Sequence, residues 1–236
     1  MSRGHGHEHH PHHHGHSVEK HLQVSVAGYD ADIRRFVPHY DEALSVVAEV
    51  LRGFDGEVLD VGTGTGALTF HLARALPQAR FTALDVDAAM LDQARSRLLE
   101  FGNRVSFVKA SFLEASGPRD AVVASLSLHH VPERAEKVRV YRHLRSVLRE
   151  GGVLISADAM VPRDAVAARQ LWEDWTAHLV RGGDSPEGAR ERFESWKAED
   201  FYFSVADELA MASEAGFSSV DVRWRRGPLG VLVAHR

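Results

Sequence analysis

The sequence predicts an α/β fold, in which a mostly parallel sheet carries helices on both faces. The apolar run VLDV ends in the glycine-rich turn GTGTG, and the amphipathic segment ALTFHLARAL follows, as in a strand, a tight loop and a helix. Strand-like and helix-like segments then alternate as far as residue 158, which is typical of a parallel sheet. The length of 236 residues and the 44% hydrophobic content suit one globular domain.

Each element follows from local periodicity and from glycine and proline positions. Strands are predicted at 57–61, 80–85, 104–108, 120–126 and 152–158. Helices are predicted at 66–76, 88–101 and 133–149, and the last should end at Gly151 and Gly152. Its arginines and lysine could form a phosphate-binding stripe, but acids are interleaved with them, which favours a solvated outer face. The final segments, VDVRWRR and GVLVAHR, should form a hairpin that adds an antiparallel strand at the sheet edge.

The regions that flank this alternating core predict the domain organisation. Residues 1–17 form a predicted disordered, His-rich tail, and residues 18–236 a single domain. That domain should have N-terminal helices at 18–52 and a helical cap insert at 163–203. The tail could bind zinc, nickel or copper adventitiously or as a true metal-binding segment, and we expect no metal site in the folded domain. The tail histidines are His5, His7, His9, His10, His12, His13, His14 and His16.

Composition excludes several classes of protein. No apolar run approaches the ~20 residues that span a bilayer, so we expect no membrane partner. The formal net charge of −5 argues against a nucleic-acid partner. The sequence has no cysteine, which excludes disulfides and thiolate sites and is compatible with the cytoplasm, where we expect the protein.

The glycine-rich turn and two acids predict a ligand site. The glycines run GxGxG, whereas a dinucleotide loop reads GxGxxG. Asp60 precedes the first glycine by two residues; it would repel a pyrophosphate and suits an ammonium group. Asp85 ends the next strand, where a carboxylate can accept both hydroxyls of a ribose.

This arrangement resembles the class I S-adenosylmethionine (SAM) methyltransferases. The resemblance implies a Rossmann-like, seven-stranded, mostly parallel sheet with an antiparallel last strand, SAM as cofactor and S-adenosylhomocysteine (SAH) as product. Val86 and Met90 would cover the adenine or else pack in a helix core. Ser111 stands where many relatives have an acid. The implied cofactor-binding residues are Tyr29, Asp60, Gly62, Thr63, Gly64, Gly66, Asp85, Val86, Met90, Ser111, Phe112, Ser127 and Leu128.

Longer segments resemble one branch of this superfamily. VPHYDEAL, SLSLHHV, the helical insert and the AGF-containing ending are similar to the branch that includes carboxy-SAM synthase, which acts in wobble-uridine modification of tRNA. The synthase's arginine before the AGF-like turn has no counterpart in ELAMASEAGF. We therefore expect a SAM-dependent methyltransferase that acts on a small molecule by in-line transfer. The alternatives are a tRNA-modification enzyme of the synthase type, a nucleic-acid methyltransferase, and a non-catalytic SAM-binding or metal-responsive module.

Four residues are candidates for a general base, which is needed only if the acceptor arrives protonated. They are His129, His130, His39 and Tyr40. In the alternative interpretation the His129–His130 pair packs the cofactor pocket and caps the next helix. Aromatic residues of the insert, such as Trp172 and Trp175, either pack a core or line a lid over the acceptor. We expect a small-molecule methyl acceptor as partner and leave a homodimer open.

Overall fold

The computed structural model describes residues 28–236. The predicted tail with its eight histidines, and the first part of the predicted N-terminal helices, lie outside the described residues. The strands are β1 Glu57–Val61, β2 Arg80–Asp85, β3 Val105–Lys109, β4 Arg119–Ser125, β5 Leu148–Ala159, β6 Ser219–Arg226 and β7 Leu229–His235. The α-helices are α1 Tyr29–Phe36, α2 Tyr40–Val50, α3 Ala67–Ala75, α4 Ala88–Arg97, α5 Arg134–Val147, α6 Ala165–Arg181, α7 Pro186–Trp196 and α8 Val205–Glu214.

The seven strands form one sheet in the order β3-β2-β1-β4-β5-β7-β6. Strands β1 to β5 are parallel, and β7 is antiparallel to both of its neighbours, β5 and β6. The predicted α/β class and the antiparallel last strand are therefore confirmed. The predicted terminal hairpin lies at this edge of the sheet, with β7 against β5 and β6 outermost. The run from Leu229 to Ala234 is buried throughout, whereas β6 alternates exposed and half-buried residues, as an edge strand can.

The helix that precedes β5 also differs from the prediction at its end. Helix α5 stops at Val147, and Leu148 is already extended and 1% exposed. The predicted stop at Gly151 and Gly152 is therefore wrong. The core decides the boundary, since Leu148 pairs with Arg119 of β4 across a register shift.

A buried ion pair lies between α5 and α8, on a face that the sequence predicted to be solvated. Lys137 is 1% exposed, and its Nζ donates a hydrogen bond to Glu208 Oε1 over 2.5 Å. Tyr141 donates from its hydroxyl to Glu208 Oε2, and Lys137 Nζ also lies over the Phe203 ring. For Lys137 the predicted outer face is wrong, because α8 packs over this part of α5 and supplies a carboxylate.

The segment after β5 folds as two helices and a return to the sheet. Ser185 caps α7 by accepting from the Gly188 N–H, and Ser204 with Asp207 forms a capping box at α8. The Phe201 N–H donates to the His129 carbonyl, so the return segment lies over the β4 end. The aromatic residues of α6 and α7 pack together, with Trp172 and Trp175 stacked at 5.3 Å between ring centroids. No helix within residues 28–236 has the length and apolarity needed to cross a membrane.

Candidate active site

A cavity of about 600 Å³ opens at the carboxyl ends of the parallel strands. Of the residues predicted to form the site, Gly66, Leu128, His129 and His39 do not appear on its wall, and neither do Trp172 and Trp175. The cavity brings together most of the others. The predicted site residues that line it are Tyr29, Tyr40, Asp60, Gly62, Thr63, Gly64, Asp85, Val86, Met90, Ser111, Phe112, Ser127 and His130.

The glycine-rich turn brings bare backbone to the cavity wall. Gly62 has φ +67°, and a Cβ there would lie 2.5 Å from the Ser127 Cβ, so only glycine fits. Ser127 holds this position by donating from its hydroxyl to the Val61 carbonyl over 2.9 Å. Gly66 has a different role, because it begins α3 and packs against Leu98.

Asp60 is a buried carboxylate, and one of its two oxygens lacks a hydrogen-bond donor among residues 28–236. Thr63 and Thr69 both donate to its Oδ2, over 2.7 and 2.6 Å, while its Oδ1 has no hydrogen-bond partner among the described residues. Burial raises its pKa to about 6, although the two threonine hydroxyls oppose the rise. Because Asp60 lines the cavity, a ligand with an ammonium group would supply the missing donor.

Asp85 is held in place at the end of β2 by two backbone groups. The Gly64 N–H donates to Oδ2 over 2.8 Å, and the Asp87 N–H donates to Oδ1 over 2.9 Å. Each carboxylate oxygen can accept more than one hydrogen bond. The residue can therefore orient the glycine loop and still receive the hydroxyls of a ribose.

The residues that would surround an adenine lie beyond Asp85. Met90 is fully buried in α4 and Val86 is 40% exposed, although both line the cavity. The Ser111 N–H donates to the Glu114 carboxylate over 2.8 Å, which starts a short 3₁₀ turn that carries Phe112. Ser111 therefore offers its hydroxyl at a fixed position beside the cavity, without a charge.

A latch that the sequence reasoning missed joins α1 to the glycine loop. Thr65 donates from its hydroxyl to Asp30 Oδ1 over 2.7 Å, and Arg97 of α4 forms an ion pair with Asp30. Arg97 also donates to the Thr65 hydroxyl over 3.0 Å. This latch holds the neighbouring Tyr29 on the cavity wall. The Tyr-Asp pair in the sequence was the available signal, but its partners are distant along the chain.

Two tyrosines cover the cavity from the N-terminal helices. Burial raises the pKa of both hydroxyls, with Asp85 as the next cause for Tyr29 and Tyr29 itself as the next cause for Tyr40. Both are therefore neutral at physiological pH and poor bases. His39, by contrast, begins α2 outside the cavity, where its Nδ1 lies 3.0 Å from Glu42.

His129 lies behind the cavity wall between two buried acids. Its Nδ1 is 2.5 Å from Asp158 Oδ1, its backbone N–H donates to Asp158 Oδ2, and its Nε2 is 3.5 Å from Asp200 Oδ1. Burial disfavours a charged imidazole, but Asp158 and then Asp200 outweigh it and raise the pKa of His129 to about 10. The ring is therefore an imidazolium at neutral pH, and it serves as a structural cation.

His130 is the imidazole that reaches the cavity. Its Nδ1 lies 3.0 Å from the Glu199 carbonyl and 3.4 Å from Asp200 Oδ1. A carbonyl can only accept, so it favours a proton on Nδ1 and leaves the lone pair on Nε2. Tyr202 donates from its hydroxyl to Asp200 Oδ2 over 2.5 Å and holds that carboxylate in place.

The same group could in principle bind a metal ion. One ligand atom each from His129, His130 and Asp200 lies within 4.8 Å of the others. Coordination by His129 would require loss of the proton that Asp158 and Asp200 stabilise. We therefore interpret the group as an ion-pair network beside the cavity.

Comparison with known proteins finds similarity to methyltransferases and to a SAM-related enzyme. A family model described as a methyltransferase domain matches residues 58–152. The carboxy-S-adenosyl-L-methionine synthase of Helicobacter hepaticus is 25% identical over 217 residues, which cover 88% of this chain and 90% of the synthase. An O-methyltransferase family protein from Burkholderia thailandensis superposes with a TM-score of 0.69 at 20% identity, and covers 93% of this chain. PigF, solved with SAH, gives a TM-score of 0.67 at 17% identity over 92% of this chain.

The relatives of known structure are longer than this chain, which spans 64% of the Burkholderia protein and 61% of PigF. At these identities they show the fold alone. The methyltransferase domain at residues 58–152, the similar synthase and the shared fold together support a class I SAM-dependent methyltransferase with SAM as its cofactor.

Proposed function

We propose that the protein transfers the methyl group of SAM, in line, to a small-molecule acceptor. The observation that carries the proposal is one continuous cavity with two kinds of wall. Asp60 and Asp85 are the acids of one kind of wall, and the aromatic side chains of Tyr29, Tyr40 and His130 line the same space of about 600 Å³. This volume is in the range of small-molecule sites.

Asp60 and Asp85 would hold the cofactor by its polar ends. The Asp60 Oδ1, which lacks a donor among residues 28–236, fits an ammonium group, and Asp85 fits a ribose. SAM supplies a methyl group activated by its sulfonium. The chain contributes alignment and the exclusion of water, for which the Tyr29 and Tyr40 side chains provide cover.

His130 is the residue we assign to proton removal when the acceptor is a hydroxyl or an ammonium. It lines the cavity, and the Glu199 carbonyl favours the tautomer in which Nε2 accepts. His129 and Tyr40 are unsuited to this role because both are fully protonated near neutral pH. His39 is unsuited because its imidazole contacts Glu42 away from the cavity.

Carboxy-SAM synthesis is the second candidate, favoured by the similarity to the Helicobacter synthase. It is less well supported, because helix α8 contributes no arginine that could hold an additional carboxylate. The glutamate of that helix, Glu208, is instead paired with Lys137. We further place the protein in the cytoplasm, since a chain without cysteine suits a reducing compartment.

Methyl transfer from labelled SAM to a cell extract, fractionated into small molecules and RNA, tests the proposal. We expect label in the small-molecule fraction. Asp85→Ala should abolish transfer and weaken binding of SAM and SAH by about 2–4 kcal/mol, since it removes two charge-assisted hydrogen bonds. The exposed Asp221 provides a control, and Asp221→Asn should behave as wild type. Label in RNA would contradict the small-molecule acceptor, and SAM binding without any transfer would indicate a non-catalytic module.

A further inference from the structure

We propose that the acceptor is neutral or carries an amine, and that the cavity excludes acceptors bearing carboxylate or phosphate groups. This inference rests on the methyl-transfer function proposed above. Its basis is the charge of the wall: Asp60, Asp85, Glu136 and Glu199 all line the cavity. Within residues 28–236, no lysine or arginine lines it.

Two basic residues next to the wall, Lys137 and Arg97, are already bound to other acids. Lys137 follows Glu136 in α5, but its ammonium group is buried against Glu208 at 2.5 Å. Arg97 reaches the cavity residue Thr65, yet its guanidinium is paired with Asp30. Neither cation can turn to an acceptor without breaking a contact that holds the fold or the latch.

Charge then decides which acceptors can enter. Proteins recognise carboxylate and phosphate chiefly with arginine and lysine, and an ion buried without a partner is strongly disfavoured. Asp60 and Asp85 are assigned to the cofactor, so Glu136 and Glu199 are the other acids on the wall, with Glu136 Oε1 3.8 Å from Arg139. Glu199 is beside the proposed base, because its carbonyl contacts His130. Carboxylates on the cavity wall repel an anion and attract an amine.

Binding of cofactor-based probes tests this inference without knowledge of the acceptor. Three SAH analogues would be used, with the sulfur replaced by a nitrogen that carries a propyl, an aminopropyl or a carboxyethyl group. The adenosyl and amino-acid parts are the same in all three, so calorimetry compares only the group that enters the acceptor space. We expect the carboxyethyl probe to bind at least roughly tenfold more weakly than the propyl probe, and the aminopropyl probe to bind as tightly or more tightly.

Variants of Glu136 and Glu199 test whether these two residues cause the difference in affinity between the probes. Glu136→Gln combined with Glu199→Gln should narrow the gap between the carboxyethyl and propyl probes several-fold. Glu150→Gln is the matched control, because the Glu150 side chain is 92% exposed and remote from the cavity wall. Equal or tighter binding of the carboxyethyl probe, or an unchanged gap in the double variant, would overturn the inference. Transfer of label from SAM to small molecules, measured as above, would still support the proposed function. Failure of SAH and all three probes to bind would overturn both.

Discussion

Replacing Asp60 with asparagine should stabilise the ligand-free protein and weaken its binding of SAM. Asp60 is 1% exposed, and burial raises its pKa from 3.8 to about 6. Between these two values the folded state binds more protons than the unfolded state, so stability falls as pH rises. Above about pH 6 the whole penalty is present.

The pKa shift of Asp60 gives the free energy by which its charge destabilises the fold. At 1.36 kcal/mol per pKa unit, the charged carboxylate costs the fold about 3 kcal/mol at neutral pH. Asparagine keeps an oxygen that can accept hydrogen bonds from Thr63 and Thr69. The Asp60→Asn variant should therefore regain much of the lost free energy of unfolding. Each kcal/mol raises the melting temperature of a chain of this size by roughly 2–4 °C.

The negative charge of Asp60 destabilises the ligand-free fold but favours binding of SAM, because it pairs with the ammonium group of the cofactor. Wild-type affinity for SAM should fall up to roughly tenfold per pH unit below about pH 6, while the SAM amino group stays protonated. Asp60→Asn should bind SAM on the order of ten- to a hundred-fold more weakly, with no such pH dependence.

Calorimetry with SAM between about pH 5 and pH 7, together with thermal melts of the ligand-free proteins, measures both effects. The exposed Asp55 provides the control, and Asp55→Asn should match wild type in both assays. A wild-type affinity that does not change across this pH range, or an Asp60→Asn variant that binds SAM normally, would refute the assignment.

Three further predictions concern the latch and the buried charges. Asp30→Asn should weaken SAM binding several-fold and increase hydrogen exchange in α1, because it removes the ion pair with α4; equal exchange in this variant and in Asp32→Asn would contradict the latch. His129 has a pKa raised from 6.5 to about 10, so its charge stabilises the fold fully below about pH 6.5 and this stabilisation disappears as pH rises towards 10. Thermal melts should show that loss in wild type and not in His129→Gln. Lys137→Ala leaves Glu208 buried without its cation and should cost about 3–5 kcal/mol in urea unfolding, whereas Lys137→Met with Glu208→Gln should cost less; equal costs would show that the charge is not the cause.

The sequence by itself determined the parts of the molecule that depend on residues close together along the chain. The strand that contains Asp60, the turn GTGTG and the strand that ends in Asp85 lie at their predicted places. The caps at Ser185 and Ser204 are equally local, since a cap is made by residues within one helical turn. Parallel strands then bring these loops to one edge of the sheet, which is why the amino-acid sequence alone predicts the cofactor end of the cavity.

Only the tertiary structure decided which partners meet across the chain. His129 and His130 are adjacent in sequence, yet Asp158, 29 residues on, holds one as a buried cation while the other faces the cavity. The local sequence predicts a surface position for Lys137, but Glu208, 71 residues away, forms a buried hydrogen bond with it. The position of β7 inside the sheet likewise follows from pairing on both sides. These outcomes depend on burial and charge contributed by distant segments, and no local pattern encodes them.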